Sequence, residues 1–100
     1  MPHYLIELPH ESEVTACARV VRVFLESGSH YLTNADWGCS DGVHKSWFTV
    51  EARSHDEARL VLPPSYRAEA SVVELNKWSM ESLDGAVRLH TGQGLDAVSR

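Results

Sequence analysis

The chain has 100 residues, 43% of them hydrophobic, which is enough for a single domain with one buried core. The formal net charge of -5 and the lack of a cluster of Lys and Arg argue against a nucleic-acid-binding surface. The apolar runs are only a few residues long and predict neither a secretion signal nor a membrane-spanning segment, so a cytoplasmic protein is expected.

The first third of the chain predicts a buried strand followed by an amphipathic helix. Residues 4–8 form a short, mostly apolar run closed by Pro9, which is typical of a buried strand. Ser12 is predicted to cap a helix that Gly28 ends. The apolar residues that recur at helical spacing predict its buried face: Val14, Cys17, Ala18, Val21, Phe24 and Leu25.

Residues 31–53 predict a β-hairpin. Two extended runs meet at Asp41-Gly42, a dipeptide that favours a tight hairpin turn. Because side chains alternate along a strand, Trp37 is expected on the helix side of the sheet and Trp47 on the other side. The cross-strand pairs predicted near the turn are Trp37 with Ser46 and Cys39 with His44.

The second half of the chain predicts two capped helices separated by a strand. Ser54 and Glu57 form a capping box, and a proline pair ends the helix that follows. Residues 71–75 predict the last strand. Ser79 is predicted to cap a third helix that Gly92 ends.

This element order predicts an α+β domain over residues 1–92, with the ferredoxin-like βαββαβ arrangement and a C-terminal helix. Its four strands are expected to form an antiparallel sheet in the order 4-1-3-2, with the helices on one face. Residues 93–100 have no clear periodicity and predict a tail without regular structure.

The sheet face away from the helices is predicted to mix apolar and acidic side chains. The residues expected there are Leu5, Glu7, Leu32, Asn34, Asp36, Trp47, Thr49, Glu51, Val72, Glu74 and Trp78. A face that meets only water should be mostly polar, whereas an apolar one is usually covered. A second copy of the chain is the simplest cover, so a homodimer is predicted.

Two passages, "ADW...DGVHKSWFTVEARSHDEA" and "SVVELNKWS", together with the length and element order, resemble the small dimeric α+β-barrel proteins. That superfamily includes muconolactone-isomerase-like enzymes, antibiotic-biosynthesis monooxygenase-like proteins and small bacterial nickel-binding proteins. The resemblance covers about residues 3–90 and implies a dimeric α+β barrel. It does not imply one particular reaction.

His10, Cys39 and His44 are predicted to meet at one end of the sheet, where imidazole and thiolate groups suit zinc, nickel or copper. Cys17 is instead assigned to helix packing. Since no CxxC pair is present, neither a disulfide framework nor a closed structural zinc site is predicted. The alternative is that Cys39 is a small half-buried side chain and His44 an exposed strand residue. A second histidine group is expected at the opposite end: His3, His30 and His55.

Glu7, Glu51 and Glu74 are predicted on one outward face of adjacent strands. Carboxylates gathered in a partly desolvated dimer cavity would repel one another, which would raise the pKa of at least one of them and suit it to proton transfer. The ligand-binding residues expected nearby are Asp36, Trp47 and Trp78. The alternative is that the carboxylates pair with basic side chains or face water.

The function that follows from the sequence is a small cytoplasmic homodimer that binds a small ligand or a divalent metal ion, nickel or zinc, without catalysis being required. The alternative function is an isomerase or cofactor-free monooxygenase that uses the carboxylates as acid and base on a small hydrophobic or aromatic substrate. A third hypothesis is an interaction protein whose sheet face docks a different partner. No nucleic acid or membrane partner is predicted.

Overall fold

A computed structural model of the chain describes the backbone of residues 1–92 and the side chains of residues 1–89; the predicted tail, residues 93–100, lies outside these ranges. The elements in chain order are β1 (His3–Pro9), α1 (Val14–Glu26), α2 (His30–Thr33), β2 (Asp36–Trp37), β3 (Lys45–Glu51), α3 (His55–Arg59), β4 (Ser71–Leu75) and α4 (Met80–Gly92). Among these helices, none combines the length and the apolar character that a bilayer crossing requires.

The strands form one antiparallel sheet. β3 and β4 flank β1 on either side, and the short β2 pairs with the outer edge of β3. The order across the sheet is β2-β3-β1-β4, which reads 4-1-3-2 from the opposite edge. The domain is therefore α+β with a four-stranded antiparallel sheet, while its membership of the ferredoxin-like class stays a prediction.

The core lies between one face of this sheet and the helices. Tyr4, Ile6 and Leu8 alternate with more exposed residues along β1 and are almost fully buried, as the two-residue repeat of a strand requires. Phe24 of α1 is fully buried, and its ring meets that of Phe48 on β3 edge-on at 5.9 Å. Burial of a side chain of this size contributes about 1.5–3 kcal/mol, so these contacts hold α1 on the sheet.

The predicted buried face of α1 is partly wrong. Phe24 is buried as expected, but Val14 is 82% exposed and Leu25 is 58% exposed, while Val20 is buried instead. The face that meets the sheet therefore runs through positions 17, 20 and 24, which are still separated by three and four residues. Glu13 is the N-cap in place of the predicted Ser12. The helical pattern predicted the element correctly and its rotation less well.

The predicted long second strand is a short helix followed by two strand residues. Ser29 caps α2, since its hydroxyl accepts a hydrogen bond from the Leu32 N–H, and Leu32 is buried rather than on the outer face. Trp37 pairs with Ser46 in the predicted register. Cys39 and His44 do not form a strand pair, because Cys39–Asp41 is a 3-10 turn that Gly42 closes at a φ of 80°.

The predicted outward face of β4 is wrong by one residue. Leu5, on the outer face of β1, is opposite Val73, whereas Tyr4, on the core side, is opposite Glu74. Side chains opposite each other in a sheet point to the same face, so Glu74 and Val72 lie on the helix side.

The expected hydrogen bonds that cap the later helices are present: the Ser54 and Ser79 hydroxyls accept from the N–H of residues 57 and 82.

Candidate metal centre

Three segments meet at one end of the sheet: the end of β1, the turn before β3 and the start of α1. β1 finishes at Pro9, and the backbone N–H of the next residue, His10, donates to the carbonyl oxygen of His44 at 2.9 Å. His44 immediately precedes β3, so this bond fixes the two histidines side by side. Their rings lie 5.5 Å apart at an interplanar angle of 89°.

The 3-10 turn brings Cys39 to the same end. Gly38 donates its N–H to the Lys45 carbonyl and accepts from the Val43 N–H, which closes the loop over residues 38–43 tightly. A side chain on Gly38 would meet the Val43 carbonyl oxygen at 2.7 Å, so a glycine is needed at this close approach. The turn therefore holds Cys39 and His44 at a defined separation.

Cys17 enters the group from α1. It lies in the first turns of the helix, on the side that faces the sheet, because Val20 and Phe24 further along the same face are buried. The Cys17 side chain therefore lies over the end of β1, next to His10.

The ligand atoms form a compact group. His10 Nε2 lies 3.3 Å from Cys17 Sγ and 3.2 Å from Cys39 Sγ, and the two sulfurs are 3.3 Å apart. A ring nitrogen of His44 completes the group, and the four atoms all lie within 4.8 Å of one another. All four side chains are half-buried, and both cysteines are free. These four side chains could hold a metal ion.

The environment affects the protonation of the group. Burial raises the pKa of the Cys39 thiol, and the neighbouring Cys17 raises it further through their hydrogen bond and their mutual repulsion. Burial, followed by the proximity of His44, lowers the pKa of His10. His10 is therefore held in the neutral form, the form of imidazole that coordinates metals.

Both histidines also have an unsatisfied ring nitrogen. Nδ1 of His10 and Nδ1 of His44 are buried without a hydrogen-bond partner among the described residues, and so is the hydroxyl of Ser46, two residues after His44. Buried polar atoms nearly always have partners in folded proteins, and an orphan group calls for an ion or water. Polar atoms without partners are thus concentrated around the candidate site.

The prediction that His10, Cys39 and His44 meet is confirmed, and the assignment of Cys17 to packing alone is wrong. The sequence predicted no four-ligand site, and Cys17 brings a possible fourth donor to the group. The sequence contained an indication of this position for Cys17. It comes seven residues after His10, on a helix that packs back over the end of the preceding strand. The second histidine group, by contrast, is not brought together as a ligand set within the described part of the chain.

The three glutamates predicted as acid and base do not cluster. On β1, Glu7 is opposite Trp47, whereas Glu51 is opposite His3, four residues away along the strand. Four residues of a strand span about 13 Å. Glu74 lies on the other face beside Tyr4; burial, followed by the charges of Glu74 and Glu57, raises the pKa of that tyrosine.

Glu7 is also in the opposite electrostatic situation to the predicted one. The indole N–H of Trp47 donates to its carboxylate at 2.9 Å, and the Lys45 ammonium lies 3.5 Å away. The Trp47 hydrogen bond, with help from Lys45 and against a smaller effect of burial, lowers the pKa of Glu7. A carboxylate held in its charged form is a poor proton donor near neutral pH, so the geometry gives no support to the acid–base role, which stays a prediction.

The predicted ligand-binding residues are only partly brought together. Asp36 is directly opposite Trp47 in the sheet, as expected. Trp78 is 65% exposed and follows β4 at the end that lies beside His3, away from Trp47. A cleft of about 810 Å³ at this His3 end is lined partly by Glu74 and Lys77. It does not join the two tryptophans into one pocket.

Comparison with family models, curated proteins and solved structures finds no match for the chain. The resemblance to dimeric α+β-barrel proteins therefore stays a prediction.

Proposed function

We propose that the protein binds one zinc ion through His10, Cys17, Cys39 and His44. The observation that carries this proposal is the approach of four ligand atoms to within 4.8 Å of one another, from residues on separate segments of the chain. Two imidazoles and two thiolates are a ligand set typical of zinc in proteins.

The distances favour a tetrahedral ion over a square-planar one. In a square-planar site, the type that Ni²⁺ and Cu²⁺ prefer, any three ligand atoms include one diagonal pair. The atoms of that pair are about 1.4 times as far apart as neighbouring ligand atoms. The three separations among His10 Nε2 and the two sulfurs are nearly equal, 3.2 to 3.3 Å, as on one face of a tetrahedron. This is the reason to propose zinc ahead of nickel.

Binding of zinc requires the ligand atoms to adjust. Bonds of about 2.3 Å to sulfur and 2.1 Å to nitrogen place the ligand atoms of a tetrahedral zinc ion roughly 3.4–3.8 Å apart. His10 Nε2 and the two sulfurs would move apart by a few tenths of an ångström, and the His44 nitrogen, which lies within 4.8 Å of the other three, would move to the same range. Two thiolates also neutralise the double charge of the ion, so that a half-buried site carries no net charge.

A four-ligand site indicates a structural or storage role rather than catalysis. Catalytic zinc keeps one position for water or substrate, whereas here protein atoms supply all four. The ion would join the end of β1, the start of α1 and the turn before β3, three segments that otherwise meet through few backbone hydrogen bonds. The expected cytoplasmic location suits this role, because a reducing compartment keeps both cysteines available as thiols. None of the described carboxylate contacts favours the enzyme alternative.

The proposal is tested by titrating the reduced, metal-free protein with Zn²⁺ and Co²⁺. We expect one equivalent to bind, with a strong cobalt spectrum of the tetrahedral type and a thiolate-to-cobalt charge-transfer band. Zinc binding should raise the thermal unfolding temperature, since an ion that binds only the folded chain stabilises it.

The control variants separate this site from the other histidines. The double variant Cys39→Ala/His44→Ala should lose stoichiometric binding, whereas His55→Ala, which changes a histidine at the other end of the sheet, should keep it. Absence of zinc and cobalt binding at micromolar concentration in the folded wild-type protein would rule the proposal out. A nickel complex of square-planar type that outcompetes zinc would contradict the choice of metal.

A further inference from the structure

The two cysteines of the site are placed to react with each other. Cys17 Sγ and Cys39 Sγ are 3.3 Å apart, and no other described cysteine competes for either. A disulfide bond is about 2.05 Å long, so the sulfurs need to approach by roughly 1.3 Å for the bond to form.

Both sulfurs are within reach of a small oxidant. Cys17 and Cys39 are half-buried, unlike the apolar core residues of β1, which are almost fully buried. Hydrogen peroxide is about the size of two water molecules and is small enough to reach a half-buried sulfur. Oxidation of a cysteine depends on its exposure and thiolate character, and a neighbouring cysteine can convert the resulting sulfenic acid into a disulfide.

We propose that Cys17 and Cys39 form a reversible intramolecular disulfide on exposure to peroxide, and that this disulfide expels the metal ion. The disulfide follows from the sulfur positions alone. The release of metal rests on the proposed zinc site.

The reaction balances with one peroxide for each protein. One sulfur attacks an oxygen of hydrogen peroxide, the O–O bond breaks, and sulfenic acid and water form. The second sulfur then attacks the sulfenic sulfur, the S–O bond breaks, and a second water leaves as the S–S bond forms. The two sulfurs lose two electrons in total and the peroxide gains them. From the zinc-bound dithiolate the step consumes two protons and sets Zn²⁺ free.

Oxidation removes half of the ligands and all of their negative charge. The histidines that remain, His10 and His44, cannot form a closed tetrahedral site, because tight zinc sites need at least three protein ligands. The disulfide joins α1 to the same turn that the metal joins, so the fold is tied together in both states. The consequence of oxidation is therefore release of the ion without loss of the fold.

The experiment treats the zinc-loaded full-length protein with one equivalent of hydrogen peroxide in the presence of a colorimetric zinc chelator. We expect release of one zinc per protein, loss of both free thiols, and a mass lower by two hydrogen atoms, all reversed by a dithiol reductant. Under non-reducing conditions, trypsin should give a linked pair of peptides, residues 1–19 and 23–45, which carry the two cysteines. Circular dichroism should show that the oxidised chain stays folded.

Two variants and the metal-free protein make the outcomes distinct. Cys17→Ser should give no intramolecular link, and His44→Ala, which keeps both thiols, should still give it. If the metal-free wild-type protein forms the linked peptides but never binds zinc, the zinc site and the metal release are both ruled out, while the disulfide is supported. If zinc binds but peroxide gives only sulfinic acid, links between chains, or a disulfide that retains the ion, the switch is overturned and the zinc site stands.

Discussion

At the scale of single residues, the contact with Glu7 explains how Trp47 is held on the outer face of the sheet. The Trp47 indole lies against the sheet over Gly38, within 3.1 Å of where a side chain on that glycine would start, and its N–H holds the Glu7 carboxylate. A tryptophan on the outer face is thereby anchored to its own sheet. Its position next to the turn over residues 38–43 makes Trp47 fluorescence a suitable reporter of that turn.

We predict that Trp47→Phe raises the pKa of Glu7 towards its ordinary value. The indole hydrogen bond is the largest cause of the lowered pKa, and phenylalanine keeps the ring without the donor. A lowered folded-state pKa contributes stability that is present above the ordinary glutamate pKa and is lost as the pH falls through the lowered one. The variant should therefore lose less stability than the wild type over that acidic window.

Carbon-detected NMR titration of the Glu7 carboxyl measures this shift, and unfolding at a series of acidic pH values measures its effect on stability. Trp78→Phe is the matched control, because that side chain is exposed and follows the opposite end of the sheet. An unchanged Glu7 pKa in Trp47→Phe would show that the hydrogen bond does not govern the charge of this carboxylate.

At the scale of elements, local signals predicted what depends on local chemistry. The Ser54 N-cap and the Trp37–Ser46 pair both depend on residues close in sequence, and both are present; the Glu57 carboxylate accepts from the N–H of Arg53 rather than of Ser54. The sequence predicted a strand where α2 lies, because residues 30–33 include types that strands favour. The Ser29 cap and the burial of Leu32 instead stabilise a helix there.

The site was predicted to the extent that topology alone determines it. A hairpin that pairs beside β1 must bring His10, Cys39 and His44 to one end of the sheet, whatever the detailed shape of the turn. Cys17 was predicted on the buried face of α1, but whether its sulfur reaches the end of β1 depends on the exact rotation of the helix. That rotation is fixed by the packing of Val20 and Phe24, which a pattern of apolar residues does not determine to within one residue.

We predict that Gly38→Ala destabilises the protein by about 1–3 kcal/mol, the usual cost of an overpacked methyl group. The new carbon would meet the Val43 carbonyl oxygen at 2.7 Å and the Trp47 ring at 3.0 Å, and the backbone of the turn has to move. Because the turn carries Cys39, zinc affinity at the proposed site should fall as well. Urea unfolding of the metal-free variant and a zinc competition titration measure the two effects.

The matched control is Gly85→Ala, in the interior of α4. Its nearest neighbour is the end of the Arg88 side chain at 4.0 Å, so the methyl group has room. Alanine in a helix interior is more stable than glycine by about 0.5–1 kcal/mol. Equal effects of the two substitutions on stability would contradict the close packing of the turn.

At the scale of the whole molecule, the described chain leaves apolar side chains uncovered. Val73 and Leu75 on the outer face of β4 are 52% and 42% exposed, and Met80 and Leu83 at the start of α4 are 73% and 41% exposed. The principal extents of the molecule are 51 × 28 × 22 Å, an elongated shape for a small domain. Val73 and Leu75 lie on the same face of β4, and neighbouring exposed apolar side chains are typical of a surface that is covered in an assembly.

We therefore predict that the chain forms a homodimer through the outer face of the sheet, and that Val73→Lys weakens it at least about tenfold, which corresponds to about 1.4 kcal/mol. The lysine would place a charge in the middle of an apolar interface, where it must be desolvated without a partner. In the monomer the same position is half exposed, so the fold should tolerate it. Val14→Lys, at an 82% exposed position on α1, is the matched control and should leave association unchanged. Sedimentation equilibrium over a range of concentrations measures both variants against the wild type. A wild-type protein that sediments as a monomer at high concentration would show that a second copy does not cover this face.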